Sequence, residues 1–553
     1  MKKIMTIGRH GAAFALLLAA TFVAPANAQD FGFGDEAATA PAEASPVAGG
    51  ARVGGKLEFA ATSFFRSADD ALESPLSGAA QGRLEFAAQG GSVDASLELR
   101  LSEKVLSESP SSVVDQASLK LFAGPLTLEG GLLKASWGKA DSQGPLDVLN
   151  PLDLSDLTIT DQLDRKIAVP MLRAKAALGS SAQLELAGVF GFEGNRIALE
   201  GPWTPKLIAD RKAAAYQGFY YGANPAANGG KGDGLYANYY STAFSAAYAG
   251  SYAEEFQKTY ATAFAAALAS NGGNASAAQT SAVAATDAQN VAITLAALQK
   301  ANGLVSSQDS SIRAQAAAAA DERIASLLSY PRTDTLEWSQ GGARLTASLG
   351  GIDAGLQYFY GFLPNPVASS DPAVMAANGG RLPVSYNRYH QFGLDLAAVL
   401  AGFNLRAEAA ANLTDDMQGD DPLVYNPHLA WSLGFDRELF AAITLNVQGT
   451  GTYRLFDEGV GDGLYDIEAG TDATRTKITA MLSRGFLRDK AQLELAGVYG
   501  IEDGDFALAP SLKLAVGDAS IILSARVFGG DAGGELGQFA ESSCARLSLE
   551  YAF

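Results

Sequence analysis

Cysteine is almost missing: Cys544 is the single one in 553 residues. An intrachain disulfide is therefore excluded, and the cysteine lies nowhere near a lipoprotein-type acylation site. Histidine is nearly as scarce, at three in all. Past the N-terminal segment only His390 and His428 remain, and no H-E-x-x-H, Cys/His metal spacing, G-x-S-x-G or P-loop occurs. These absences argue against an enzyme, a metal centre or a bound cofactor. His390 in "RYHQFG" would be half of a Ser–His pair in a barrel-borne hydrolase, but a histidine at a membrane interface needs no catalytic role. Basic charge is also short, with 40 Lys+Arg against 60 Asp+Glu and a net charge of -20. That excludes the basic surface a nucleic-acid binder needs. Beyond the first 28 residues no apolar run is long enough for a membrane-spanning helix.

What is present begins with a secretory signal over 1–28. Lys2, Lys3 and Arg9 precede the apolar run "GAAFALLLAATFVA", and "ANA" ends at a cleavage site before Gln29. Residues 29–50 lack periodicity and read as a flexible periplasmic lead-in.

From residue 51 onward apolar and polar side chains alternate. "SVDASLELRLS" (92–102), "ARLTASLG" (343–350), "ASIILSARVF" (519–528) and the closing "ARLSLEYAF" (545–553) are examples. The period of two gives each strand one greasy and one polar face. About 18 such segments, with 16 the alternative count, are joined by alternating short turns and long links, as in an up-and-down outer-membrane barrel. Strand charges, Arg83, Arg100, Arg173, Arg344, Arg406 and Arg526 among them, fall on the non-apolar parity and are expected in the lumen. Lys134 breaks that parity, after Gly130 and Gly131, where a bulge would re-aim it. Phe64, Phe65, Phe190, Tyr358, Tyr360, Phe362, Tyr453 and Tyr499 are expected in an upper aromatic girdle. Tyr551 and Phe553 are expected in the lower one. "AQLELAGVFGFE" (182–193) returns as "AQLELAGVYGIE" (491–502), which supports a repetitive β architecture. The expected fold is thus an all-β transmembrane antiparallel barrel with an α-helical loop insertion. Its parts are 51–204, the insertion 205–334, and 335–553.

The third long link, "WGKADSQGPLDVLNPLDLSD" (137–156), holds the densest set of unusual residues. Trp137-Gly138 followed by Asn150-Pro151-x-Asp153 resembles a Gram-negative outer-membrane porin-like family with those residues in this place. "LEWSQGGARLTASLGGIDAGLQYFYGF" (336–362) resembles the same family. The resemblance implies a loop, 137–167, that folds inward and narrows a pore, with Trp137, Gly138 and Pro151 shaping it. The terminal Phe553, with Tyr551, resembles the signal such proteins present to the barrel-assembly machinery. Asp141, Asp147, Asp153, Asp156, Asp161 and Asp164 have only Lys139, Arg165 and Lys166 nearby in sequence. Within a pore such carboxylates, with Asn150 and the lumenal arginines opposite, would set selectivity. The plainer reading is that Asn150-Pro151 and Asp153 only form turns.

The insertion is too long for a plain loop. "YSTAFSAAYAGSYAEEFQKTYATAFAAALAS" (240–270), 286–303 and 310–330 have helical propensity, with Thr286 and Gly303 as caps. Its tyrosines either pack helices or line a ligand surface. Acidic stretches at 415–421 and 457–468 lack EF-hand spacing and read as solvated loops. Two functions follow. The first is an outer-membrane channel passing small hydrophilic or amphipathic solutes, constricted by 137–167. The second is a barrel-anchored surface-binding or adhesion protein acting through 205–334. The expected partners are outer-membrane lipid, lipopolysaccharide and the assembly machinery. Nucleic acid is not expected, and a homo-oligomer is left open.

Overall fold

The computed structural model describes residues 50–65, 76–108, 110–141, 144–368, 372–461 and 466–553. The signal segment and most of the lead-in lie outside them.

Among the described residues, eighteen strands form one sheet that closes on itself. They are β1 (Gly50–Phe64), β2 (Leu76–Gln89), β3 (Val93–Ser102), β4 (Val114–Ala123), β5 (Leu126–Leu133), β6 (Val169–Leu178), β7 (Ala182–Val189), β8 (Gln340–Leu349) and β9 (Ile352–Phe362). They continue as β10 (Arg388–Leu400), β11 (Phe403–Thr414), β12 (His428–Glu438), β13 (Ile443–Arg454), β14 (Thr474–Phe486), β15 (Ala491–Gly500), β16 (Asp505–Val516), β17 (Ala519–Gly529) and β18 (Cys544–Ala552). Each pairs antiparallel with its neighbour in sequence, and β1 pairs with β18, Phe59 opposite Leu549. The ladder runs on to the last residue: Gly55 and Phe553 exchange two backbone hydrogen bonds of 3.0 Å. A side chain on Gly55 would meet the Phe553 ring at 2.6 Å, so glycine there leaves room for the terminal aromatic.

Strand turns on one side are tight. Gly350 and Gly351 form the two-residue link between β8 and β9, with φ of +60° and +91°. That is the paired left-handed geometry that matches strand twist.

Outward positions are apolar and exposed. Leu186, Leu356, Leu433, Leu523 and Leu547 lie at 50–62%. Inward positions carry the charges, and Lys134 turns inside to Asp115 at 2.8 Å. This is the arrangement a bilayer requires of a barrel, with the strands paired all the way round and lipid-facing side chains largely apolar. The girdle expectation fails at two positions. Phe64 and Phe362 are buried, at 8% and 7%, because loop aromatics cover them: Trp203 packs on Phe64 at 6.0 Å and Trp338 stacks on Phe362 at 4.5 Å.

Residues 210–329 and 375–382 form a second compact unit. The long link carries α1 (Lys206–Tyr221), α2 (Leu235–Ser270), α3 (Ala275–Ala288), α4 (Asn290–Ser307) and α5 (Asp309–Ala325). The expected caps are corrected: Thr286 is buried inside α3 and bonds back to Ala282 O at 2.8 Å, and Gly303 lies within α4. The helices break instead at Gln289 and Gln308. Ala278, Ala282, Ala297, Ala301, Ala316 and Ala320 are fully buried at four-residue spacing. That stripe lets α3, α4 and α5 pack closely along α2. On α2 every fourth residue from Tyr236 to Phe264 is aromatic, and successive rings such as Tyr252 and Phe256 stand 6.3 Å apart.

Candidate functional site: the loop across the lumen

The link between β5 and β6 turns into the barrel and is fastened to strands on both sides. Its first limb, Trp137 to Leu146, lies against β7 and β9–β13. Trp137 Nε1 donates to Glu185 at 3.0 Å, and the ring meets Phe359 edge-on. Glu408 on β11, only 3% exposed, accepts from the backbone N–H groups of Lys139 and Ala140, the latter at 2.8 Å. Asp141 donates its N–H to Gln448 at 3.0 Å, accepts from Asn446 at 2.7 Å, and pairs with Arg406. Gln391 and Gln357 then donate to the carbonyls of Pro145 and Leu146, at 2.9 and 3.0 Å. Leu146 is fully buried against Ala410 and Ala430. Five backbone groups of this limb thus find strand side-chain partners, which lowers the cost of taking the loop out of water.

The middle of the link folds back on its own ends. The Asn150 amide accepts from Ala135 N and donates to the carbonyls of Leu133 and Ile167, each at 2.8 Å. Asp147 pairs with Lys166 at 2.6 Å. Asn150 was expected at the constriction. Buried and bonded at three points, it clasps the loop's base instead. Pro151 offers its carbonyl to Ile167 N at 2.9 Å.

The second limb crosses to β1–β3 and β18. Asp153, Asp156 and Asp161 were expected to present charge to the pore. They spend their carboxylates on local turns: Asp153 accepts from Ser155 N, Asp156 from Thr158 N, and Asp161 caps the single helical turn Gln162–Arg165. Asp164 reaches Arg83 and Arg100, the latter at 3.2 Å, and Arg546 donates to Thr158 at 3.1 Å. Arg165 is 1% exposed, with Nε bonded to Ile159 O at 2.8 Å. Burial, with Arg526 nearby, lowers its pKa to about 9.

The expectation that these aspartates find few cations is overturned. Asp147 takes the nearby Lys166, but the other partners come from strands far away in sequence: Arg406 for Asp141, and Arg83 and Arg100 for Asp164. The other lumenal arginines are engaged too. Arg173 lies between Glu129 at 3.0 Å and Glu185 at 2.7 Å, Arg344 holds Asp395 at 2.7 Å, and Arg526 donates to Ala525 O at 2.9 Å. Most charges of the expected ring therefore cancel in pairs.

Burial works against ionisation of Asp164, but the guanidinium groups of Arg83 and Arg100 outweigh it and hold its carboxyl below the ordinary range. A carboxyl lowered in the folded state stabilises above the unfolded value and loses that contribution as pH falls through the lowered one. Acidification below about pH 4 is thus expected to loosen the second limb. Open-channel noise rising with acid in the parent, with that component gone in Asp164→Asn, is the measurement; an identical acid response in both would refute it.

The two sides of the loop differ. Toward β14–β18 the lumen is filled by an apolar cluster. Leu157 of the loop packs with Phe64, Trp203, Val498, Ala507, Phe528 and Phe539, and Trp203 contacts three of these rings at 6.0–6.3 Å. Toward β10–β14 a cavity of about 250 Å³ remains. Residues 144–152 form one wall, and Arg454, Arg475 and Lys477 line the other. Arg454 and Lys477 carry partners, Glu468 at 3.6 Å and Glu535 at 2.5 Å. Sequence reasoning did not single out this wall or Trp203. The signals were there: a lone Trp between prolines in "GPWTP", and three cations where β13 ends and β14 begins, Arg475 and Lys477 at alternate positions.

No family model matches the chain, and no curated protein matches it. Among solved structures, Acinetobacter baumannii OccAB4 is 10% identical, with 91% of this chain and 98% of that one covered, at a TM-score of 0.41. Pseudomonas aeruginosa OpdQ is 8% identical over 91% and 97%, also at 0.41. A mutant of Rh. blastica porin is 10% identical over 91% and 100%, at 0.34. Likenesses at this level carry neither a solute nor an activity over to this chain.

Proposed function

We propose that this barrel lies in the bacterial outer membrane and passes small hydrophilic or amphipathic solutes by diffusion, with loop 137–167 as its constriction. One observation carries the reading: the loop is fastened to opposite walls, with a lined cavity toward β10–β14 and an apolar cluster toward β14–β18. A loop serving only as filler needs no such asymmetry. The route runs past the β10–β14 wall, where Arg454, Arg475 and Lys477 meet apolar loop residues such as Val148 and Leu149. That pairing suits a solute with both a polar and an apolar side. Gradient-driven diffusion needs no cofactor and no chemical step.

The second reading is a surface-binding protein. The aromatic series on α2 favours it, since rings at a regular spacing on a two-layer helical unit offer a continuous half-buried track.

Refolded protein in a planar bilayer, recorded for single-channel steps and reversal potential in a salt gradient, separates the two. Discrete steps support the channel. A folded barrel silent both intact and after deletion of 205–330 rules it out and leaves the surface-binding reading.

A further inference from the structure

The apolar exterior is interrupted at the long-link end of β9 and β10. Arg388 and His390 take outward positions on β10, followed down the strand by outward Phe392, Leu394 and Leu396. His390 Nδ1 lies 2.8 Å from the Tyr358 hydroxyl, and its ring packs 4.7 Å from that of Tyr360. The Arg388 guanidinium lies 4.0 Å over Phe362 and 4.9 Å over Tyr360, and donates to the carbonyl of Glu337. Among the described residues its partners are thus two rings and a carbonyl oxygen, none of them an anion. On the link before β8, the carboxylate of Asp334 is held by Arg332 at 2.7 Å.

A cation at the edge of a hydrocarbon belt without a counter-ion is costly unless the surroundings supply one. Headgroup phosphates lie at this depth, level with the aromatic girdle. A guanidinium fork, an imidazole and a phenol hydroxyl held side by side form a donor set suited to phosphate oxygens. The strand below is bare to acyl chains, with Phe392 at 52% and Leu356 at 62% exposed. A soluble anion would have no use for that surface.

We propose that Arg388, His390 and Tyr358 bind a phosphate on the headgroup of an outer-leaflet glycolipid, with the acyl chains lying along Leu356, Phe392 and Leu394. The inference rests on the reading of this chain as an outer-membrane barrel, though not on its conducting. The opposite rim offers a contrast: Arg437 lies over Phe403 at 4.3 Å. It is an outward cation on an aromatic ring, without the histidine and tyrosine.

The test uses the full folded barrel in phosphatidylethanolamine nanodiscs doped with bisphosphorylated lipid A, with retained lipid counted by native mass spectrometry. Unboiled gel mobility shows that each variant is folded. The parent is expected to keep lipid A, and Arg388→Gln with His390→Asn to lose about tenfold in occupancy. Arg388→Lys alone should keep most of it, and Arg437→Gln all of it. Equal retention by the parent and the double variant would overturn the proposal. So would equal retention of dephosphorylated lipid A. Displacement by millimolar inorganic phosphate would make this a soluble-anion site and overturn the lipid assignment. A silent barrel that keeps lipid A would count against the channel alone, and a conducting barrel indifferent to lipid A against this proposal alone.

Discussion

Glu408→Ala is expected to detach the first limb of the lumenal loop and raise single-channel conductance, with added open-state noise. Glu408 is the point where a β11 side chain takes the N–H groups of Lys139 and Ala140. Removing it leaves two half-buried donors without their acceptor, at about 1 kcal/mol each. The loop relieves that cost by moving toward water, so the detached population should rise roughly 10–100-fold. Gly144 supplies a cross-check. A methyl group there would overlap the Glu408 carboxylate, so Gly144→Ala should give the same phenotype in the parent. Much of that overlap vanishes once Glu408 is gone, and the two changes together should cost less than their sum. Strict additivity, or unchanged conductance in Glu408→Ala, would show that the loop is held elsewhere. Glu408→Gln, which keeps an acceptor oxygen, should fall between.

Trp203→Ala carries the second large effect. Trp203 fills the closed side of the lumen and is 7% exposed among Phe64, Phe528 and Phe539. Truncating a buried tryptophan costs about 3–5 kcal/mol. Here the lost volume lies inside a barrel whose ladder stays intact, so the damage should be local. The expected result is a leak through the β14–β18 side, seen as passage of larger neutral solutes in liposome swelling, together with a lower melting temperature. Trp203→Phe should restore most of the seal. A lower melting temperature with unchanged permeability would mean that the cluster stabilises the barrel without closing a path.

The strands were legible because a period of two survives any loop insertion, and because lipid outside and water inside leave few other solutions. The 182–193 and 491–502 repeat indeed gives β7 and β15, with Glu185 and Glu494 at equivalent inward positions. The girdle was legible only in part, since Phe64 and Phe362 are covered by tryptophans from links that no periodicity places. The aspartates of the lumenal loop were misjudged for a related reason. Only Asp147 pairs with one of the nearby cations, Lys166, whereas Arg406 lies 265 positions beyond Asp141. Asp153 and Asp156, each followed two residues on by Ser or Thr, carried the signature of local turns, and that plainer reading won. Glu408 stood on the correct face but looked like any other lumenal carboxylate; only the meeting with Gly138 and Gly144 sets it apart.

The pairing of β1 with β18 also bears on how the molecule forms. Hairpins such as β8–β9 join residues a few positions apart and can appear early, whereas Phe59 and Leu549 meet only after nearly everything between them is ordered. Until then both seam strands are open edges, able to accept a strand from another molecule. Assembly is therefore most vulnerable in its last step, and a catalyst that shields those two edges would gain yield without altering the stability of the finished barrel.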